Sequence, residues 1–224
     1  MASWMVHLRI ADRLLDKIPD LSPIEFIVGN IAPDSGVPNE DWSSFTPSYA
    51  VSHFKTGTAK AGPEAFADKY FAEEQQRQYN EQQYAFYLGY LTHLLTDVLW
   101  SQQIALPSFR KHIGGEPPFR GPQVDKIKDD WYDLDFKYLR EHPGFRAFRV
   151  YLGCVGFRND YLEEFSVDAI DNRRQYITDF YLQGKDNLDR EYPYLTQEQM
   201  DSFVCRASDE ILKTLYSRYL AHRT

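Results

Sequence analysis

Apolar residues recur along this chain with the helical period. Trp4, Leu8, Ala11, Leu15 and Ile18 mark one stripe over residues 3–18. The run SPIE, residues 22–25, reads as a capping box, with Ser22 as N-cap, Pro23 at the first helical position and Glu25 at the third. The helix it opens, IEFIVGNIA, is expected to stop near Pro33 and Asp34, where Ser35 and Gly36 follow. Residues 35–62 carry scattered Pro, Gly, Ser and Thr and read as a long irregular loop. The pattern predicts helices over about 63–79 and 81–105, a second loop over 107–122, and helices over 123–141, 144–154, 158–163 and 167–185. Thr196 and Gln199 form another capping box, opening a last helix that ends near Ala221. No segment alternates strongly enough to predict a strand. The expectation is an all-α, multi-helical fold built as a single domain over residues 1–224.

Composition narrows the function classes. Hydrophobic residues make up 43% and aromatics 16% of 224 residues, enough for a substantial core. The net charge of −8 argues against a sequence-independent binder of duplex nucleic acid, which would carry a basic footprint. The first residues, MASWMVHLRIADRLLDKI, lack a basic segment followed by a continuous apolar core, so no signal peptide is expected. No run is long and apolar enough to predict a transmembrane helix. Cys154 and Cys205 lack zinc-ligand or redox spacing and read as reduced thiols. These features together point to a cytoplasmic protein whose metal ligands, if it has any, are nitrogen and oxygen.

The run FYLGYLTHLLTDVLW, residues 86–100, places His93 and Asp97 one turn apart on a helix that is otherwise mostly apolar. Positions i and i+4 share a helix face, so the pair is expected to be buried or to line a cleft. A buried carboxylate needs a partner or a metal. Two readings stay open on these residues alone: an imidazole–carboxylate hydrogen bond, or two ligands presented to one ion. Asp34 at the end of a hydrophobic helix and His53 before Phe54 are further polar positions flanked by apolar ones. Alone, they read as a turn residue and a loop histidine. Gly89, one turn before His93, would let another helix or a ligand approach closely.

The order of His7, then PD at 33–34, then HF at 53–54, then G-Y-L-x-H-x-x-x-D at 89–97 resembles the zinc-dependent phospholipase C family. More distantly it resembles the secreted single-strand-specific zinc nucleases, which share an all-helical fold. The resemblance implies that Asp34, His53, His93 and Asp97 hold one zinc, and that Asp97 bridges to a second shared with His7. Several features differ from the family pattern. The secreted enzymes begin on a tryptophan whose amine and carbonyl bind metal, whereas Trp4 lies inside this chain. The family's further histidine, six residues after the aspartate, is here Gln103. The later His-xxx-Glu or His-xxx-Asp pair has its nearest analogue in Asp129 and Asp133, with Asp125 a turn earlier. If these carboxylates reach the centre, Mn²⁺, Mg²⁺ or Fe would suit them beside Zn²⁺. Otherwise the stripe is a solvated helix face.

The resemblance implies one to three ions and hydrolysis by metal-activated water, with Asp34 as ligand or general base. A small phosphate ester, phosphodiester or phosphomonoester, is the expected substrate, and Arg110, Lys111 and Arg120 are candidate phosphate contacts. The alternative is a non-catalytic metal-binding helical protein derived from the same fold.

Overall fold

A computed structural model describes residues 1–41, 43–57, 61–114 and 121–220. Its helices are α1 (Trp4–Leu15), α2 (Pro23–Ile31), α3 (Tyr49–Ser52), α4 (Pro63–Tyr70), α5 (Glu73–Gln76), α6 (Glu81–Trp100), α7 (Leu106–Ile113), α8 (Pro122–Glu141), α9 (Arg146–Gly153), α10 (Ala169–Leu182) and α11 (Gln197–Leu215). A 3-10 turn over Ala32–Asp34 extends α2. Two short antiparallel strands, β1 (Val37–Pro38) and β2 (Phe45–Thr46), pair Val37 with Thr46 and Pro38 with Phe45. The fold is all-α, as expected. No described helix is long and apolar enough to cross a membrane.

Helix α6 runs through the centre. Every residue from Tyr84 to Leu94 is buried, which is why its sequence is apolar nearly all round. Its main neighbour is α2, with α1, α4 and α11 also against it, while α9 closes over α1 and α2. The α2–α6 contact depends on two glycines facing each other's backbones. A Cβ on Gly29 would stand 2.1 Å from the Phe86 carbonyl oxygen, and one on Gly89 would stand 2.2 Å from that of Phe26. The close approach anticipated at Gly89 is therefore made by another helix. One turn beyond this contact, the Asn30 carbonyl reaches His93.

Several boundaries differ from the sequence expectation, each for a local reason. The segment 63–79 is split: α4 stops at Tyr70, and Gln76 Nε2 donates to the Phe71 carbonyl beyond it. The long central helix leaves the α-helical pattern at Ser101 through a π turn, Ser101–Ala105. The expected second loop begins later than expected. Pro107 lies in the first turn of α7, and Gly114, with φ 81°, ends it. Arg120 lies outside the described residues. No helix forms over 158–163, because the Asn159 side chain accepts from the Leu162 amide and donates to the carbonyls of Leu162 and Phe165. The boxes at Thr196–Gln199 and at Asn80–Gln83 are formed. At Ser22 the hydroxyl instead donates to the Glu25 carboxylate, and no side-chain cap of the backbone is made.

Gly89→Ala is expected to destabilise the protein by on the order of 1–3 kcal/mol, since backbone cannot yield as a flexible side chain would. Gly153→Ala in α9, where a Cβ meets nothing within 4 Å, is the matched control and should leave the urea midpoint nearly unchanged. Equal midpoints for the two variants would refute the backbone-contact account.

Candidate metal centre

His93 and Asp97 project from the buried middle of α6, and both are fully shielded from solvent. The Asn30 carbonyl can only accept, so His93 Nδ1, 2.8 Å away, carries the proton. Neutral His93 therefore presents a bare Nε2 lone pair to the interior. His53 follows the single turn α3, whose Ser52 carbonyl accepts from the Tyr90 hydroxyl. Immediately after it Phe54 adopts φ 50°, a left-handed conformation rare for an aromatic residue, and its ring packs edge-on against Phe66 and Tyr90. The HF motif thus pairs an imidazole with the aromatic anchor that holds its turn in place. His53 Nδ1 lies 2.9 Å from Ser52 Oγ, leaving Nε2 to face His93 Nε2 at 3.3 Å.

Two carboxylates complete this arrangement. Asp34 Oδ1 is 3.5 Å and Asp97 Oδ2 is 3.6 Å from His53 Nε2, and Asp97 Oδ2 is 3.7 Å from His93 Nε2. Four donors bound at zinc distances around a tetrahedral ion stand about 3.3–3.5 Å apart. On the far side, His7 stacks on His93 with ring centroids 3.8 Å apart, and its Nε2 is 3.5 Å from Asp97 Oδ1. The metal-capable groups among the described residues are thus His7–His93–Asp97 and Asp34–His53–His93. The chemistry of the donors fits a metal on a further ground. Both ring nitrogens of His7 and Asp97 Oδ2 are buried without a hydrogen-bond partner, a costly condition unless a cation completes them.

The electrostatics agree with a site that holds a neutral His93 beside ionised carboxylates. Burial, then the neighbouring His7, pushes His93 down to about 3. Burial opposes ionisation of Asp34, but the adjoining His53 and His93 outweigh it, holding the carboxyl below its ordinary range. At Asp97 burial is likewise outweighed, by the charge of the chain's N-terminal amine and by the adjoining His7 and His93. These are the protonation states that metal ligation requires.

The acidic stripe of α8 behaves differently. Asp125 and Asp129 are exposed. Asp133 is taken up by Lys185 and by Arg190 Nη2 at 2.7 Å. Neither Asp129 nor Asp133 joins the convergent groups, so the expected i, i+4 carboxylate pair is not brought to the centre.

Three residues near the site make contacts that the sequence did not anticipate. Tyr49, one turn before His53, lays its ring 3.8 Å from the imidazole and donates its hydroxyl to Asp97. Burial and the charges of Asp97 and Asp34 raise its phenol well above the usual range, so it stays a donor. The i, i+4 spacing of Tyr49 and His53 is the signal that would have found it. Trp4 Nε1 donates to Asp34 Oδ2 at 2.9 Å. Asp135 lies two residues past the expected pair, on another helix face. It accepts from Ser3 Oγ and Tyr181 OH at 2.8 and 2.7 Å. Burial pushes its carboxyl up to about 7, against those two bonds and the Arg9 charge.

Comparison with curated proteins and with solved structures gives no significant match. A family model described as zinc dependent phospholipase C matches residues 6–115. That span contains His7, Asp34, His53, His93 and Asp97, and the donor set is one suited to zinc. The segment from residue 6 to residue 115, which carries all the converging imidazoles and carboxylates, is similar to the zinc-dependent phospholipase C family.

Proposed function

We propose that the chain is a zinc-dependent hydrolase of small phosphate esters in which His53, His93, Asp34 and Asp97 hold one ion and His7 with Asp97 holds a second. The observation that carries this reading is the set of sealed, unpartnered donors of His7 and Asp97 beside the facing His53 and His93 nitrogens. The family match supports both the metal and the reaction class.

Zinc, when bound, supplies hydroxide near neutral pH and stabilises charge on a phosphoryl group. The protein's own contribution is to hold the donors in place. His93 and His53 are locked by the Asn30 carbonyl and Ser52 hydroxyl, as imidazole ligands are when their second nitrogen is bonded. Asp34, the less enclosed carboxylate with 6% side-chain exposure, is placed to accept a proton from the attacking water. Tyr49 stays protonated at the rim of the cluster and keeps Asp97 in place.

A second reading is favoured by α8. Because Asp133 is engaged by Lys185 and Arg190, and Gln103 stands where the family has histidine, a non-catalytic metal-binding protein would have this same partial ligand set. Metal analysis together with hydrolysis of p-nitrophenyl phosphate and bis-p-nitrophenyl phosphate separates the two readings. The expected outcome is stoichiometric zinc and turnover, with His93→Ala losing both. Asp34→Asn should lower kcat by on the order of 10²-fold or more. Zinc without turnover establishes the second reading; no metal at all defeats both.

Acid should dismantle the site before the bulk of the fold. With its folded pKa near 3 against an ordinary 6.5, His93 takes up a proton in the unfolded chain that the folded chain refuses. Stability therefore falls as pH drops from about 6.5 toward about 3. Urea midpoints of chelator-treated protein across that window should decline, and His93→Ala should flatten the decline. A wild-type midpoint independent of pH there would contradict the burial of a neutral imidazole.

A further inference from the structure

Both metal-facing carboxylates are oriented by one short segment. The Ala2 amide donates to Asp97 Oδ1 at 2.8 Å, and the Trp4 indole donates to Asp34 Oδ2 at 2.9 Å. Each bond occupies one oxygen. The other oxygens, Asp97 Oδ2 and Asp34 Oδ1, are the ones that face His53 Nε2. Residues 2–4 thus set which edge of each carboxylate points inward.

The segment is itself held from across the molecule. Ser3 occupies the N-cap position of α1, where its oxygen would ordinarily accept a backbone amide, yet it makes no such bond. Its hydroxyl donates instead to Asp135 Oδ1, 132 residues away. The second oxygen of Asp135 accepts from Tyr181 OH on α10, and the Tyr181 ring packs edge-on against Trp4 at 6.3 Å. Tyr176 and Phe180 stand edge-on to the same indole at 6.0 and 5.8 Å. Asp135 is fully buried, so this is an interior link. Ser3, Trp4, Asp135 and Tyr181 all lie outside the residues matched to the family.

We infer that Asp135 is a positioning residue for the metal centre: through Ser3 and Tyr181 it fixes residues 2–4, which in turn aim Asp97 and Asp34 at the ion. The inference rests on the zinc reading of the site. It assigns α8 a different part from direct ligation, acting from the face opposite the ion-paired Asp133. Outer-shell partners of this kind are typically worth 10- to 100-fold in metal affinity.

The test measures zinc affinity of the full-length chain by competition with a chromogenic chelator, with circular dichroism reporting the fold. Asp135→Ala, Ser3→Ala and Trp4→Phe are each expected to weaken zinc binding by about 10-fold or more. Asp135→Asn, which keeps an acceptor, should recover most of the loss. Asp130→Asn is the structural control. That buried carboxylate on the same helix binds Arg190 and the amides of Tyr194 and Leu195, so its loss should lower the melting temperature without moving zinc affinity. If Asp135→Ala does not fold, Ser3→Ala and Trp4→Phe decide. Wild-type affinity in folded Ser3→Ala and Trp4→Phe would overturn the positioning role alone. Absence of zinc binding by the unaltered chain would overturn the metal reading with it.

Discussion

The metal centre depends first on the contact of two helix backbones at Gly29 and Gly89. Without side chains there, α2 approaches α6 until a Cβ on either helix would overlap a carbonyl oxygen of the other. That distance is what brings the Asn30 carbonyl within 2.8 Å of His93 Nδ1. The imidazole's tautomer follows from a carbonyl that can only accept, and the direction of its free lone pair follows from the tautomer. Packing of two apolar helices thus determines where a nitrogen donor points.

Around that nitrogen the protein has gathered groups that repel or strand one another without a cation. The Nε2 atoms of His53 and His93 face each other at 3.3 Å, and His7 is sealed from water with neither nitrogen satisfied. A folded chain bears such costs where binding energy offsets them. The rigid surroundings keep the cluster from relaxing. Thr92 and Thr96 return their hydroxyls to carbonyls one turn back, and Tyr90 pins the carbonyl of Ser52. The same burial that depresses His93 also keeps it neutral and able to ligate.

Much of this was legible in the sequence because the relevant signals are local. The i, i+4 pair in α6, the PD step at the end of α2 and the HF turn each set a side chain by its immediate backbone. Helical periodicity likewise marked α1, α2, α6, α8 and α11. What failed was long-range. The 125–129–133 stripe has ligand-like spacing, but spacing on one helix says nothing about Lys185 or Arg190, which neutralise Asp133 from a distant loop. Asp135 was overlooked because its partners, Ser3 and Tyr181, are separated from it by 132 and 46 residues. Trp4 stood out only as a departure from the family pattern, whereas its indole nitrogen reaches Asp34. Over 158–163, side-chain bonds from Asn159 overrode the helical pattern.

The first helix is tied to the far end of the chain. Arg9 pairs with Asp201, Lys17 with Asp209, and Arg146 reaches back to Asp12 and Asp16. Together with the Ser3–Asp135 bond, these contacts make α1 one of the last elements that a chain emerging from the ribosome could seat. His7 is synthesised early and meets His93 and Asp97 of α6, whereas the bonds that tie its segment to Asp135 and Asp201 form only when α8 and α11 exist. All the converging donors lie within the first hundred residues, so a nascent N-terminal half would already carry the full ligand set but would lack the contacts from later helices that hold α1 over it.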